Sequence, residues 1–179
     1  MFVLYAIPIG IALGFLMGGR LDRLGELRFE WGWLAIAGLA VQVVLFSGLV
    51  GGAVGRGVGE AIYVASTGAV LVAVWRNLSV PGLPLVAIGA ISNLIAIVAN
   101  EGIMPTTHAA LAAAGLSAED GFSNSAVVAD PAVAPLTDIF AMPPWLPFAN
   151  VFSVGDVLIG LGIVLVIALG MRGGGAQTA

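Results

Sequence analysis

Three carboxylates lie in or beside apolar runs, and these are the places where chemistry would be found: Glu60, Glu101 and Asp156. An ionised side chain at the centre of a bilayer costs about 2.5 to 3.5 kcal/mol on insertion scales, so each such group needs a partner or a task. Glu60 follows Arg56 by four residues, the spacing of an ion pair on a helix surface. Glu101 ends an apolar run and reads as an interfacial group. Asp156 differs, because it lies inside the run Phe152-Ser153-Val154-Gly155-Asp156-Val157-Leu158-Ile159. Gly155 beside it permits close approach of another backbone or of a substrate chain. A carboxylate in this place either caps a helix start, with Ser153 and Asn150 as hydrogen-bond neighbours, or does acid–base work in a dry setting.

The elements that must position it are membrane spans. Of 179 residues, 60% are hydrophobic and 9% charged, against about 25% charged in soluble domains. This composition predicts an all-α integral membrane helical bundle with five transmembrane helices, over about 2–19, 31–50, 58–75, 81–99 and 150–171. Trp31 and Trp33 open the second span at the level of an aromatic belt. Residues 1–172 then form one membrane domain, and the glycine-rich 173–179 a disordered tail. Arg20, Asp22, Arg23, Glu26, Arg28 and Glu30 alternate in sign around Leu21, Leu24 and Leu27, which suits a short helix at the headgroups. Five spans place Arg20, Arg23, Arg28, Arg76 and Arg172 on one side and Arg56 on the other. By the positive-inside rule the arginine-rich side is cytoplasmic and the amino terminus outside, as expected of a bacterial cytoplasmic (inner) membrane protein.

The long polar stretch 100–148 becomes an extracytoplasmic loop. Thr106 or Thr107 can cap a short helix through Ala109–Ala114 that Gly115 would end. Prolines 131, 135, 143, 144 and 147 make the remainder irregular and stiff, suited to lying on the bilayer or serving as a lid. Several function classes fall away. Cysteine is absent and His108 is the single histidine, so no metal site and no cofactor are expected. A net charge of −4 without a basic patch excludes nucleic acid as a partner.

The run Phe152–Gly162 resembles the last-helix signature of signal peptidase II, F-N-x-A-D-x-x-I-x-x-G, with Ser153 in place of the asparagine. Leu136-Thr137-Asp138-Ile139-Phe140 is similar to that family's V-x-D-F-I motif, and Gly89-Ala90-Ile91-Ser92-Asn93-Leu94-Ile95 to its G-A-x-G-N-L-I-D segment, with Ala96 where the aspartate would stand. The likeness covers the last two spans. It implies an intramembrane aspartyl hydrolase at the outer surface, with Asp138 and Asp156 as a catalytic pair sharing a proton. Asn93, Asn100, Asn150 and Ser153 would orient water or substrate, a lipoprotein or lipid-like molecule.

Across its length the chain also resembles an uncharacterised family of small bacterial multi-pass membrane proteins, marked by N-x-G-x-M-P (Asn100, Gly102, Met104, Pro105) and by N-V-F-S-x-G-D (Asn150–Asp156). This resemblance implies membrane location and no particular activity. The competing expectation is therefore a non-enzymatic protein, either a subunit of a larger membrane complex or a binder of lipid or another amphiphile. Gly14 with Gly18, and Gly51, Gly55 and Gly59, fall on small-xxx-small patterns that pack helices within the chain or in an oligomer.

Overall fold

The computed structural model describes residues 2–46, 56–117 and 125–173. The expected tail beyond Gly173 and the Gly51 and Gly55 positions lie outside them. Among the described residues there are six α-helices: α1 (Ala6–Leu16, entered through a 3-10 turn Phe2–Tyr5), α2 (Gly32–Phe46), α3 (Arg56–Arg76), α4 (Leu83–Ala99), α5 (His108–Ala113) and α6 (Val154–Gly170). Five apolar helices overlap the five expected spans, but five transmembrane helices are not what the lengths support: α1, α4 and α6 are shorter than expected, while α3 is longer than its expected 58–75. One, Gly57–Arg76, is long and apolar enough to cross a membrane; the other four have 10–17 residues.

The shortening has local causes. The start expected near residue 150 moves to Val154 because Val151–Phe152 is a strand, and Ser153 then caps the helix. At α4 the helix begins after Gly82, whose φ of 99° lies in the left-handed region that glycine tolerates. Pro8 stands within the first turn of α1, where a missing N–H costs no intrahelical bond.

The all-α expectation needs correction, since the segment between α4 and α6 carries short strands. Strand β1 (Met104–Thr106) pairs in parallel with β2 (Ser125–Val127), and β3 (Phe140–Ala141) pairs antiparallel with β4 (Val151–Phe152). Prolines at 105, 131, 135, 143, 144 and 147 bar helix through much of this segment, and its backbone groups pair across strands instead. These strands, α5 and a 3-10 turn at Ala134–Leu136 form a cap on one end of the bundle.

Helix α6 is central. It packs against α4 on one side and α1 on the other, while α2 joins the bundle through α3. Glycine makes both close contacts. A Cβ on Gly89 would strike the carbonyl of Gly155, one on Gly162 would come 2.6 Å from the carbonyl of Gly82, and one on Gly10 would come 2.9 Å from the Ile167 Cβ. Gly82 and Gly89, and Gly155 and Gly162, are each seven residues apart, so two turns of each helix meet backbone to backbone in antiparallel register. Gly14 packs on Met171, a contact within the chain, whereas a Cβ on its expected partner Gly18 would meet nothing within 4 Å.

The bundle turns much of its apolar surface outward. Leu16 is 85% exposed, Ile36 71% and Val43 69%, and Val58, Val72, Ile88, Ile95, Val98 and Leu161 are also exposed. Among the described residues, seven of the fifteen buried hydrophobic side chains are alanine, among them Ala6, Ala73, Ala87, Ala96 and Ala168. So many large apolar side chains turned outward depart from the surface of a soluble monomer.

Candidate functional site

The start of α6 carries the polar constellation, and sequence explains its construction. Ser153 has extended backbone (φ −103°, ψ 172°) and caps the helix, and Asp156 stands three residues later, the spacing of a capping box. The Ser153 Oγ accepts from the Asp156 N–H at 3.0 Å, and the Ser153 N–H donates to Asp156 Oδ2 at 3.1 Å. Asn93 then reaches in from α4. Its Nδ2 donates to Asp156 Oδ1 at 2.9 Å, and its Oδ1 accepts from the Ser153 hydroxyl at 2.7 Å.

The result is a closed ring in which Asn93, Ser153 and Asp156 each bond to the other two. Both carboxylate oxygens accept, and Ser153 is fully buried. An acid at a helix N-terminus also faces the positive end of the helix dipole. The ring sits where α4 and α6 touch, since a Cβ on Gly155 would collide with Asn93 Oδ1. Chemically, this arrangement locks two helices and fixes a carboxylate.

Asp138 arrives on another segment. Its N–H donates to the Pro105 carbonyl at 2.9 Å, its carbonyl accepts from the Thr106 hydroxyl at 2.9 Å, and the residue is 5% exposed. Two residues on, Phe140 pairs with Phe152, so the segment that follows Asp138 is drawn to the start of the helix that carries Asp156. Asn150 contributes its carbonyl, which accepts from the Met142 N–H at 2.9 Å and closes the neck of the β3–β4 pair.

Asn100 belongs to a separate joint. Its Oδ1 accepts from the Ala132 N–H at 2.9 Å, while its Nδ2 donates to the Ala132 carbonyl at 3.0 Å and to the Ala96 carbonyl at 2.7 Å. It clips the cap to the end of α4. Glu60 lies against Gly102, where an added Cβ would come 2.7 Å from its own. Among the described residues, no group of three or more His, Cys, Asp or Glu could hold a metal ion.

Sequence reading missed the twin of the Asn100 clip. At the end of α3, Asn77 accepts from the Glu30 N–H through Oδ1 at 2.8 Å and donates through Nδ2 to the Glu30 carbonyl at 2.8 Å and the Ala73 carbonyl at 2.7 Å. The signal was present: both asparagines follow an apolar helix with alanine four residues earlier, Ala73 before Asn77 and Ala96 before Asn100. Also missed was the bond from the Tyr5 hydroxyl to the Pro147 carbonyl at 2.6 Å, which no local pattern announces. The expected α5 cap is present, with Thr107 Oγ1 accepting from the Ala110 N–H at 3.0 Å.

No curated protein and no solved structure gives a significant match to the chain. The model of a family of unknown function, DUF5317, matches residues 26–168, most of the chain and both segments of the ring, and the protein is therefore a member of that family.

Proposed function

We propose that the protein is a multi-pass integral membrane component without hydrolytic chemistry, in which the Asn93–Ser153–Asp156 ring locks the last helix beneath an extracytoplasmic cap. The observation that carries this reading is the engagement of both Asp156 oxygens by Asn93 Nδ2 and the Ser153 N–H, which gives the carboxylate a structural task. Membrane residence is supported by large apolar side chains facing outward along the apolar helices, since contiguous exposed apolar surface marks a membrane or partner contact. Within Gly57–Arg76 the apolar stretch has 17% of its residues buried inside the protein, unlike the core helix of a soluble fold.

The proposed orientation follows the arginines. Arg20, Arg23, Arg76 and Arg172 gather at one end, where the Arg23 guanidinium donates to the Arg172 carbonyl at 2.7 Å and Arg76 stacks over Trp31 at 4.3 Å. That end is cytoplasmic under the positive-inside rule. The native chain has no cysteine, so Gly25→Cys and Ala112→Cys can be labelled in intact cells with a membrane-impermeant maleimide. Labelling at 112 and protection at 25 is expected; the opposite pattern inverts the topology. In this reading the protein serves as a subunit of a membrane assembly or a holder of a lipid-like molecule.

A second reading, aspartyl hydrolysis, is favoured by the β3–β4 pairing that draws Asp138 to the level of the Asp156 helix. Its test is cleavage of a lipoprotein precursor by the native chain, Asp138→Asn and Asp156→Asn in matched membranes. Cleavage by the native chain that either substitution abolishes, with the melting temperature unchanged, establishes the hydrolase and ends the structural reading of Asp156.

A further inference from the structure

We propose that the loop Pro143–Phe148 is a lipid anchor that sinks the cap into the outer leaflet, an inference that rests on the membrane reading above. Trp145 is 78% exposed and Phe148 72%, the two most exposed aromatic side chains of the cap among the described residues. The six residues Pro-Pro-Trp-Leu-Pro-Phe carry no charge, and three are prolines, which bring no N–H to be left unpaired in lipid.

The loop is held in place. The Met142 N–H bonds the Asn150 carbonyl at its neck, the Leu146 N–H bonds the Pro143 carbonyl at 3.0 Å, and the Tyr5 hydroxyl bonds Pro147 at the head of α1. Phe2 stacks on Phe152 at 4.3 Å and Phe152 on Phe140 at 5.5 Å, continuing the apolar surface from the bundle into the cap. Trp145 and Phe148 are thus presented by a stiff platform, with little conformational entropy left to lose.

Two further observations name lipid as the occupant. Tryptophan marks both faces of a membrane protein, and three of the four tryptophans, Trp31, Trp33 and Trp75, lie at the arginine end. Trp145, on the cap, supplies the belt at the other face. The central helices α4 and α6 have 17 residues each, about 25 Å of helix at about 1.5 Å per residue, short of a hydrocarbon core of about 30 Å. An apolar cap loop entering the leaflet fills the shortfall without thinning the bilayer.

The test uses nitroxide labels on Trp145→Cys, Ile36→Cys and Ala112→Cys of the full chain in phospholipid vesicles, with accessibility to oxygen and to a water-soluble nickel chelate read by power saturation. Oxygen-favoured labels at 36 and 145 with a nickel-favoured label at 112 is the expected pattern. A lipid-like 36 with a water-like 145 overturns the anchor and leaves membrane residence intact; a water-like 36 overturns both. Because the substitution removes the tryptophan itself, a chain keeping only Trp145 (Trp31→Phe, Trp33→Phe, Trp75→Phe) is read in brominated lipid. Strong quenching supports the anchor, and emission unchanged by bromine overturns it.

Discussion

The two ends of the bundle use the same asparagine clip for different ends. At the arginine end Asn77 holds the Glu30 backbone and is 2% exposed. At the cap end Asn100 holds the Ala132 backbone by the same two bonds and its own helix by a third to the Ala96 carbonyl, but in a more exposed setting. The first clip fastens one helix connection to another. The second fastens an irregular cap onto a helix end. Charges divide by the same logic. Helices α1, α3 and α6 bring their C-termini to the end where Arg20, Arg23, Arg76 and Arg172 lie, and the Arg20 N–H and Arg23 guanidinium donate to the Met171 and Arg172 carbonyls. The N-terminus of α6 at the opposite end takes Asp156. These four arginines and Asp156 therefore lie near helix termini of opposite partial charge.

The comparison can be broken most severely at the seam that joins the two ends. Gly155→Ala would drive a methyl group into Asn93 Oδ1 and the Gly89 carbonyl, so destabilisation of about 3 kcal/mol is expected, near the top of the overpacking range. At Gly68 in α3 a Cβ meets nothing within 4 Å, and Gly68→Ala is expected to stabilise by about 0.5 to 1 kcal/mol. Thermal unfolding in detergent measures both; equal shifts would show that the seam is not tight.

Removing the clips sharpens the contrast between the ends. Asn77→Ala removes the partner of the Glu30 N–H and carbonyl in part-buried bonds and of the Ala73 carbonyl in a buried one, and about 2 kcal/mol is expected from leaving such groups unpaired. Asn100→Ala exposes its counterparts to water and is expected to cost about 1 kcal/mol. Hydrogen exchange at Glu30 and Ala132 reads the same pair locally, and a larger loss at Ala132 would invert the assignment of the firmer end. Between these falls Ser153→Ala, which removes the cap of α6 and one side of the ring, at about 1 to 2 kcal/mol. Its effect and that of Asn93→Ala should combine to less than their sum, since both break the same ring.

The smallest expected effect is at Asp22. The hydrogen bond from the Arg20 guanidinium, with its charge, holds the Asp22 carboxyl below the usual carboxylate range. A carboxyl that titrates lower when folded lends stability above its unfolded pKa and loses it as pH falls through the folded value. Both side chains are well exposed, 70% and 61%, so screening leaves no measurable change in melting. Arg20→Ala should return the Asp22 titration, followed by NMR, to the ordinary carboxylate range. A change in melting temperature in acid would mean that this exposed pair carries more than its geometry allows.

Much of the skeleton was legible in the residues. Apolar runs located the five long helices, Thr107 and Gly115 located α5, and Ser153 with Asp156 spelled a capping box three residues apart. The ends were less legible because strand pairing at Val151–Phe152 outcompetes one more helical turn, and that pairing depends on Phe140 and Ala141, ten or more residues away. Asn93 could be flagged as polar in an apolar run, but its partners lie 60 and 63 residues further along the chain.

Composition and periodicity alone determined that this chain builds apolar helices with arginines gathered toward one end, because hydrophobic content and charge placement are properties of each segment by itself. Only the tertiary structure decided which glycines touch, which asparagines clip, and that Asp156 is held by Asn93. Those are meetings between distant segments, set by which helix faces can approach to backbone contact, and no local spacing encodes them.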